Sequence, residues 1–362
     1  MTDIKLSALL AGIVAFFISL AVTPLVIKLA WKLNIIDDPR LHVHPKVTHT
    51  YPVPRAGGLA LFIAILISTL IFLPVDKHIL GIIIGMVILL VMGLADDKYN
   101  LSPYPRAAVQ FLAALAPVAF GIGIAYITNP FDTIIDLSHP QITFFFLGEI
   151  RTIWILSDLF ALIWIVIIIN FLNMGAKGVD GQLPGVVGIA ALTIGLLSLR
   201  FSADITQWPV IILAAITAGA YFGFLPWNFY PQKIMPAFSG SNIAGFLLAV
   251  LSILSTTKVC TLMVVLGVPL IDTGYTVIRR VLAGKSPFWG DRGHLHHKLL
   301  DAGLSRSQVA IFYWLVTALL GLLALSLNSA YKFYTIVFVI FFVGGLLLML
   351  TRRQGRVKNK TV

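Results

Sequence analysis

Two adjacent carboxylates, Asp96 and Asp97, end a long apolar run, and a short polar loop then leads to Arg106. Charged side chains at the ends of membrane helices are costly, so acids in this position are candidates for function. Paired acids near a basic side chain suit a divalent cation or the handling of a phosphate proton. Adjacent helical residues point in different directions, which predicts separate roles for the two carboxylates. Arg106 fits either a phosphate of a membrane-bound substrate or an interfacial anchor.

A second group of polar residues follows another apolar run. Asn170 and Asn173 are three residues apart and therefore share a helix face. Amide oxygens suit both Mg²⁺ and a nucleotide. Lys177 and Asp180 add a cation and an anion in a glycine-rich loop, and irregular backbone at this depth must be buried in protein or line a wet cavity. We expect function here, because a loop that only ended a helix would not need these four side chains together.

Two further apolar runs carry isolated polar residues. Asn228 ends one of them, and Ser241 begins the next run, where it could cap a helix or help its amides to bind an anion. Asp272 lies in an otherwise apolar helix and needs a partner. Arg279, two turns further along the same face, is the predicted partner, in a functional site or in a structural ion pair.

A cluster of charged and imidazole side chains lies in the last large polar segment. It contains Asp291, Arg292, His294, His296 and His297 within seven residues. Zinc would account for such a cluster, but the segment has no cysteine and no second ligand set at the spacing of a structural zinc site. Imidazoles beside an arginine suit a diphosphate and its sugar better. We therefore predict substrate binding here.

The first polar segment contains His42, His44 and His49 among several prolines. The prolines, and the absence of helical ligand spacing, favour a solvated loop over a metal cluster. Arg55 at its end precedes two glycines, which let a backbone approach a neighbour closely. This position fits either a tight start to the next helix or a contact with a ligand.

The composition indicates a membrane protein, so membrane helices must position these residues. Hydrophobic residues make up 59% of the chain and charged residues 11%, whereas soluble domains have about 25% charged residues. Apolar runs near the roughly 20 residues that a helix needs to cross a bilayer recur throughout. They predict an all-α polytopic protein with about eleven spans, at 6–29, 57–74, 79–95, 106–128, 153–171, 184–200, 208–226, 241–256, 259–278, 309–328 and 332–350. Residues 1–350 form one transmembrane domain in this interpretation.

The distribution of positive charge predicts the orientation of these spans. With the N-terminus outside, most of the 26 Lys and Arg residues fall on the cytoplasmic side, as the positive-inside rule requires. The net charge of +11 therefore reflects topology rather than nucleic-acid binding. Residues 351–362 form a basic cytoplasmic tail that suits anionic headgroups. A secondary transporter fits less well, because its ionisable groups usually lie near mid-membrane.

Six motifs between about residues 38 and 308 occur in an order that resembles the polyprenyl-phosphate N-acetylhexosamine-1-phosphate transferases. They read HTYPVPRAGG, ADDKYNLSP, NFLN followed by VDG, GFLPWNF, PLIDT and DRGHLHHKLLDAGLSRSQV. The resemblance implies transfer of a sugar-1-phosphate from a UDP-N-acetylhexosamine to a polyprenyl phosphate, with release of UMP and with Mg²⁺ or Mn²⁺ as cofactor. It also implies a plasma-membrane location, an active site on the cytoplasmic face, a first step in cell-envelope glycan synthesis and, in many members, a homodimer.

The resemblance also implies roles for individual residues. Asp96, with Asp97 beside it, would orient or deprotonate the lipid phosphate, and Arg106 would lie near that phosphate. Asn173 would help to hold the metal or the uridine. The implied substrate-binding residues are Arg55, Arg106, Asn170, Asn173, Lys177, Asp180, Asn228, Asp272, Arg292, His294, His296 and His297.

Two departures from the family pattern affect the implied metal site. Relatives usually have a glycine-aspartate pair before the small-residue cluster, and its aspartate is a main Mg²⁺ ligand, whereas this chain has Ala237 and Phe238. The loop after Asn173 is one residue longer, with Lys177 where many members have an aspartate. Either other residues hold the ion, with Asp96, Asn173 and Asp180 as candidates, or this branch binds lipid phosphate or nucleotide sugar without transfer.

Overall fold

The computed structural model describes residues 2–40, 48–128, 133–146, 149–255, 258–287 and 289–358. Helices dominate this part of the chain. The α-helices are α1 (Thr2–Lys32), α2 (Gly57–Phe72), α3 (Lys77–Tyr99), α4 (Pro103–Ala119), α5 (Ile155–Gly175), α6 (Gln182–Ser198), α7 (Trp208–Asn228), α8 (Ala237–Leu254), α9 (Lys258–Val265), α10 (Gly267–Leu282), α11 (Leu295–Asp301), α12 (Arg306–Ser326) and α13 (Ser329–Lys358).

Three short antiparallel strand pairs lie outside the helices. They are β1 (Ile36–Asp37) with β2 (Val53–Pro54), β3 (Tyr126–Thr128) with β4 (Ile134–Asp136), and β5 (Gln141–Phe146) with β6 (Glu149–Trp154). The last two pairs form the polar segment between α4 and α5. The first pair joins the two ends of the loop before α2, because Ile36 lies opposite Pro54 and Asp37 opposite Val53.

The helices confirm an all-α, multi-pass membrane protein. In the part of the chain that the structure describes, 8 helices are long and apolar enough to cross a membrane, and α9 with α10 raises the number to 9. Each of the eleven predicted apolar segments overlaps a helix or the α9–α10 pair. Helices α2 and α4 have only 16 and 17 residues, below the roughly 20 needed for a full crossing. The number eleven and the orientation stay predictions.

Two predicted spans differ from the structure. Helix α4 ends at Ala119 rather than continuing to residue 128, and β3 follows it. The segment predicted as one span at 259–278 is broken, with 84° between α9 and α10. Pro269 has no N–H to continue the hydrogen bonding of α9, but it is tolerated in the first turn of α10. The last helix, α13, continues into the predicted tail, of which residues 359–362 lie outside the described range.

Helix α8 forms the centre of the bundle. Its side chains from Ala237 to Ile253 are buried, and it packs against α2, α3 and α5. Ser239 in its first turn lies against Gly58 of α2 and Gly93 of α3, and a Cβ atom at either glycine would overlap Ser239. The start of α8 is therefore fixed between two neighbouring helices.

Candidate active site

A cavity of about 510 Å³ lies where the ends of α3, α5 and α7 meet the starts of α4, α8 and α11. Most of the residues singled out in the sequence line it. These are Arg55, Asp96, Arg106, Asn170, Asn173, Lys177, Asp180, Asn228, His294, His296 and His297. Asp97, Asp272 and Arg292 do not belong to the lining. The cavity thus brings together a carboxylate, an amide and an imidazole that are far apart in the chain, those of Asp96, Asn173 and His297.

The local sequence places Asp96 at the edge of this cavity. Helix α3 ends because Asn100 adopts a left-handed backbone conformation, and Pro103 then occupies the first turn of α4, where proline is favoured. The carboxylate of Asp96 accepts a hydrogen bond from the Leu101 N–H at 3.1 Å. Arg106 Nε lies 2.6 Å from the same oxygen. Asp96 is buried, and Arg106 is its charged partner at the cavity.

Asp97 has a different environment, as the sequence predicts for adjacent helical residues. Its carboxylate accepts hydrogen bonds from the Phe238 N–H at 2.7 Å, the Ser239 N–H at 3.3 Å and the Ser239 hydroxyl at 2.6 Å. Arg55 Nη2 lies 4.0 Å away. An anion that receives the first N–H groups of a helix stabilises that helix. Asp97 therefore links the end of α3 to the start of α8.

Lys177 occupies a set of oxygen acceptors beside α8. Its Nζ donates to Asn173 Oδ1 at 2.6 Å, to the Ala237 carbonyl at 3.2 Å and to Ser241 Oγ at 3.4 Å. The Ser241 hydroxyl also donates to Asn173 Oδ1 at 2.8 Å. The amide that the sequence offers as a metal ligand is thus already bonded to a cation of the protein.

The Phe238 ring lies close to two cations. The guanidinium carbon of Arg106 is 4.9 Å from the ring centroid, and Lys177 Nζ is 5.9 Å from it. The negative face of an aromatic ring attracts cations at such distances. Ala237, directly before it, has φ 55°, in the left-handed region that favours glycine. This conformation agrees with the glycine that the resemblance implies at this position.

Side chains from other helices hold the loop that carries Asp180. Gln182 accepts hydrogen bonds from Gly178 and Val179 through Oε1, at 2.9 and 3.2 Å. Asn228 accepts one from Gly181 at 3.0 Å, and Gly181 has φ 79°, which favours glycine. Asn228 therefore acts on the site through the backbone of this loop.

The Asp180 carboxylate itself is buried, and neither oxygen has a hydrogen-bond partner among the described residues. Arg306 Nη1 lies 3.7 Å from one of them. Burial raises the pKa of Asp180, and the charge of Arg306 opposes that rise. A buried polar atom without a partner is costly, so Asp180 suits a ligand that donates hydrogen bonds.

Three imidazoles stack along one side of the cavity. The rings of His294 and His296 are 5.5 Å apart and nearly parallel, and His297 lies 4.3 Å from His296. Burial lowers the pKa of His296 well below its ordinary range and that of His297 to about 4. Both rings are therefore neutral at pH 7. Nδ1 of each is buried without a hydrogen-bond partner among the described side chains.

Asp272 pairs with a different residue from the one predicted. Its carboxylate lies 3.1 Å from His294 Nδ1 and accepts a hydrogen bond from Leu295 N–H at 2.8 Å. Arg279, the predicted partner, instead binds Asp291 at 2.6 Å. The chain folds back after α10, so His294 of the following segment contacts Asp272, whereas Arg279 on the same helix does not. Asp272 thus orients His294 from behind the cavity.

Arg292 does not line the cavity. It is partly exposed and pairs with Asp301. The neighbouring arginine, Arg280, lines the cavity instead and binds Asp291 at 3.1 Å. Burial acts to raise the pKa of Asp291, but hydrogen bonds from Arg280 and the Gly293 N–H and the charges of Arg280 and Arg279 outweigh it, so the pKa falls to about 2.

Several residues at the cavity did not stand out in the sequence. Gln110 on α4 accepts a hydrogen bond from Asn170 at 2.8 Å and donates one to Asn242 at 3.0 Å. His49, predicted in a solvated loop, is buried at the cavity, and burial lowers its pKa. His42 and His44 lie outside the described residues. A polar residue inside an apolar run was the available signal for Gln110, whereas nothing in the local sequence marked His49.

The candidate metal ligands do not fit a divalent cation. Among the described residues, no three His, Cys, Asp or Glu side chains form a group that could hold a metal ion. Asp96 already contacts Arg106, and Asn173 already contacts Lys177. Asp180, the third candidate, lies 3.7 Å from Arg306. Mg²⁺ is usually held by one or two carboxylates together with substrate phosphates, and each of the three candidates here has a cationic neighbour that would repel such an ion. Here two cationic side chains and the Phe238 ring occupy the position where the resemblance implies a metal-binding carboxylate.

The fold and the cavity define a multi-pass membrane protein that gathers cations and neutral imidazoles at one end of its helices. The sequence model described as glycosyl transferase family 4 matches residues 79–256. A Bacillus subtilis (strain 168) protein named as a probable undecaprenyl-phosphate N-acetylglucosaminyl 1-phosphate transferase is 30% identical over 360 residues, which cover 96% of this chain and 93% of that relative. The chain belongs to this family.

Two further relatives extend the comparison. The decaprenyl-phosphate N-acetylglucosaminephosphotransferase of Mycobacterium leprae (strain TN) is 29% identical, with 84% of this chain and 80% of the relative covered. The undecaprenyl-phosphate alpha-N-acetylglucosaminyl 1-phosphate transferase of Haemophilus influenzae is 28% identical, with 86% and 84% covered. The similarity therefore includes nearly the whole transmembrane region.

Proposed function

We propose that this chain is a membrane phosphotransferase that moves N-acetylhexosamine 1-phosphate from a UDP-sugar to a polyprenyl phosphate and releases UMP. Family membership supports the reaction class, and the names of the relatives support the type of sugar and lipid. The observation that carries the proposal is the single cavity that joins the cations Arg55, Arg106 and Lys177 to neutral imidazoles. Such a combination suits two phosphate-bearing substrates.

An apolar side of the same cavity supports a lipid substrate. Ala107 and Phe111 of α4 and Val166 of α5 contribute to the lining. Phe111 is 44% exposed, so this side of the cavity offers an accessible apolar surface that suits a lipid chain. A polyprenyl chain could lie there with its phosphate near Arg106.

The reaction is a displacement at phosphorus. An oxygen of the lipid phosphate forms a bond to the phosphorus that carries the sugar, while the bond from that phosphorus to the bridging oxygen breaks. UMP leaves with that oxygen and the electron pair of the broken bond. Such a transfer needs chiefly positioning and charge neutralisation.

Individual residues have the following roles in this proposal. Asp96 orients the lipid phosphate or accepts its proton, with Arg106 beside it. His296 and His297 donate hydrogen bonds to the diphosphate or the sugar as neutral imidazoles, and Asp180 accepts hydrogen bonds from the nucleotide sugar. The resemblance implies Mg²⁺ or Mn²⁺, but the residues present do not fit such an ion, and no step here depends on one.

The proposed setting is the plasma membrane, with the cavity on the cytoplasmic face, at the first membrane step of a cell-envelope glycan. The predicted excess of positive charge on that side supports this orientation. Nucleotide sugars are water-soluble, so their site must open to an aqueous compartment.

The test measures transfer of label from UDP-N-acetylglucosamine to undecaprenyl phosphate by the purified protein in detergent. We expect a labelled lipid and an equal amount of UMP. If neither this nor any other UDP-N-acetylhexosamine gives labelled lipid, with or without Mg²⁺, the proposal is wrong.

A further inference from the structure

The ammonium group of Lys177 is held as a bound cation would be. Three oxygens of different chemical types surround it, namely the amide of Asn173, the backbone carbonyl of Ala237 and the hydroxyl of Ser241, at 2.6 to 3.4 Å. Amide, carbonyl and hydroxyl oxygens are ligands that proteins also use for hard metal cations. Lys177 lines the cavity, so its charge faces the space that substrates would fill.

The neighbouring groups favour an ammonium over a divalent ion at this place. The Phe238 ring attracts the cations of both Lys177 and Arg106. The two nearby carboxylates are already bonded, Asp96 to Arg106 and Asp97 to the start of α8. A divalent ion placed among these groups would meet two positive charges and no carboxylate that lacks a partner. The cavity carboxylate that does lack hydrogen-bond partners, Asp180, lies 3.7 Å from another cation, Arg306.

We infer that the Lys177 ammonium supplies the fixed positive charge at the reacting diphosphate, so that transfer proceeds without a divalent cation. This inference rests on the proposed function. The step is the displacement described above, in which the leaving oxygen of UMP gains negative charge as its bond to phosphorus breaks. A cation held in advance by the protein stabilises such charge without reorganisation. Lysine is suited to this role because its charge is compact and its three donors can rotate.

The first experiment measures transfer by the purified protein in excess EDTA and in Mg²⁺. We expect the two rates to agree within about twofold, because no step of the inferred mechanism uses the metal. If EDTA abolishes transfer and Mg²⁺ restores it, the inference is wrong. If no labelled lipid forms under any condition, the proposed function fails instead.

A matched pair of variants tests the role of the charge itself. Lys177→Met keeps much of the side-chain length and loses the ammonium, and we expect transfer to fall by about 10²- to 10³-fold in both EDTA and Mg²⁺, the size of loss seen when one preorganised charge-stabilising group is removed. Lys98→Met removes a lysine outside the cavity lining and should leave transfer within about twofold of wild type. Equal rates for Lys177→Met and wild type would contradict the inference.

A binding measurement judges the inference independently of activity. Electron paramagnetic resonance of Mn²⁺ in solution reports how much ion the detergent-solubilised protein removes from the free pool. We expect the wild-type protein to bind no Mn²⁺ at a stoichiometric site, because Lys177 occupies the oxygen ligands. Stoichiometric Mn²⁺ binding that EDTA reverses would overturn the inference whether or not transfer is observed.

Discussion

The two sides of the cavity differ in how their polar atoms are satisfied. One side, called the paired wall, consists of Asp96, Arg106, Asn173, Lys177 and Phe238, whose charged groups contact one another. The other side, called the open wall, consists of His49, Asp180, His296 and His297, which carry buried atoms without hydrogen-bond partners among the described residues. The paired wall is therefore organised by contacts within the protein, whereas the open wall presents buried polar atoms that a ligand can bond.

This difference predicts two kinds of variant. Changes in the paired wall should lower the rate of transfer, because fixed charge acts on the transition state. Changes in the open wall should weaken binding of the nucleotide sugar, because they remove bonds that form with the ligand. The predictions below run from the largest expected effect to the smallest.

Asp96→Asn tests the paired wall and should lower the transfer rate by about 10²- to 10⁴-fold, the usual contribution of a positioned acid or base. The amide keeps the size of the carboxylate and can still accept the Leu101 N–H. The rate is measured at saturating UDP-sugar and lipid phosphate. A melting temperature close to wild type is the folding control, and a rate within threefold of wild type would remove Asp96 from the mechanism.

Asp97→Asn tests the support behind the paired wall and should lower the free energy of unfolding by about 3 kcal/mol. One carboxylate oxygen becomes an amide donor and faces N–H and O–H donors of α8, so buried hydrogen bonds to a charged group are lost. Thermal unfolding in detergent measures the change. Ser239→Ala removes one partner only and should cost about 1 kcal/mol. If Asp97→Asn unfolds like wild type, Asp97 does not hold α8.

Asp180→Asn tests the open wall and should raise the KM for the UDP-sugar by about 10- to 100-fold while kcat changes less. The loss corresponds to one or two hydrogen bonds to a charged acceptor. Steady-state kinetics at saturating lipid phosphate separates the two constants. A large fall in kcat with an unchanged KM would assign Asp180 to the transition state and abolish the distinction between the walls.

Acid should destabilise the open wall through its histidines. The pKa of His297 falls from 6.5 to about 4 in the folded protein, so the unfolded chain binds more protons between those values. The stability that neutral His297 provides is complete above about pH 6.5 and is lost as the pH falls toward about 4. Melting temperatures across this range measure the loss, and His297→Gln should make the profile flatter. An equally steep profile in that variant would assign the effect to other groups.

Ala237→Gly should have the smallest effect and stabilise the protein by about 1 kcal/mol. The left-handed backbone at Ala237 costs an alanine about 1–2 kcal/mol that glycine avoids, and loss of the buried methyl group offsets part of the gain. Thermal unfolding measures it, with Ala244→Gly inside α8 as a control that should destabilise. A lower melting temperature for Ala237→Gly would show that this backbone is not strained.

The sequence predicted the helices well because apolar runs of sufficient length have few alternatives in a membrane. It did not predict the break between α9 and α10, although Pro269 was visible, because a proline in a membrane helix can also be accommodated without a sharp bend. The early end of α4 at Ala119 was missed because the apolar run continues into a segment that forms a strand.

The site was predictable where polar residues end an apolar run, as Asp96 and Asn173 do. The contact partners of these residues were not predictable where they depend on how the chain folds between helices. Asp272 was paired with Arg279 from helical spacing alone, whereas His294 reaches it from the following segment. Lys177 and Asn173 are four residues apart, so their contact could be expected from helical spacing. The hydrogen bonds of Lys177 to Ala237 and Ser241 depend on how α5 packs against α8, which the sequence does not show.

The close packing of Ser239 against Gly58 and Gly93 has a consequence for substrate exchange. Because two helices and Asp97 fix the first turn of α8, that side of the site cannot swing outward to release UMP or the finished lipid. Turnover should therefore depend on motion elsewhere around the cavity, and the short helix α11, which carries His296 and His297, is the element we would test. Covalently tethering α11 to α12 should slow product departure without altering the bond-making step.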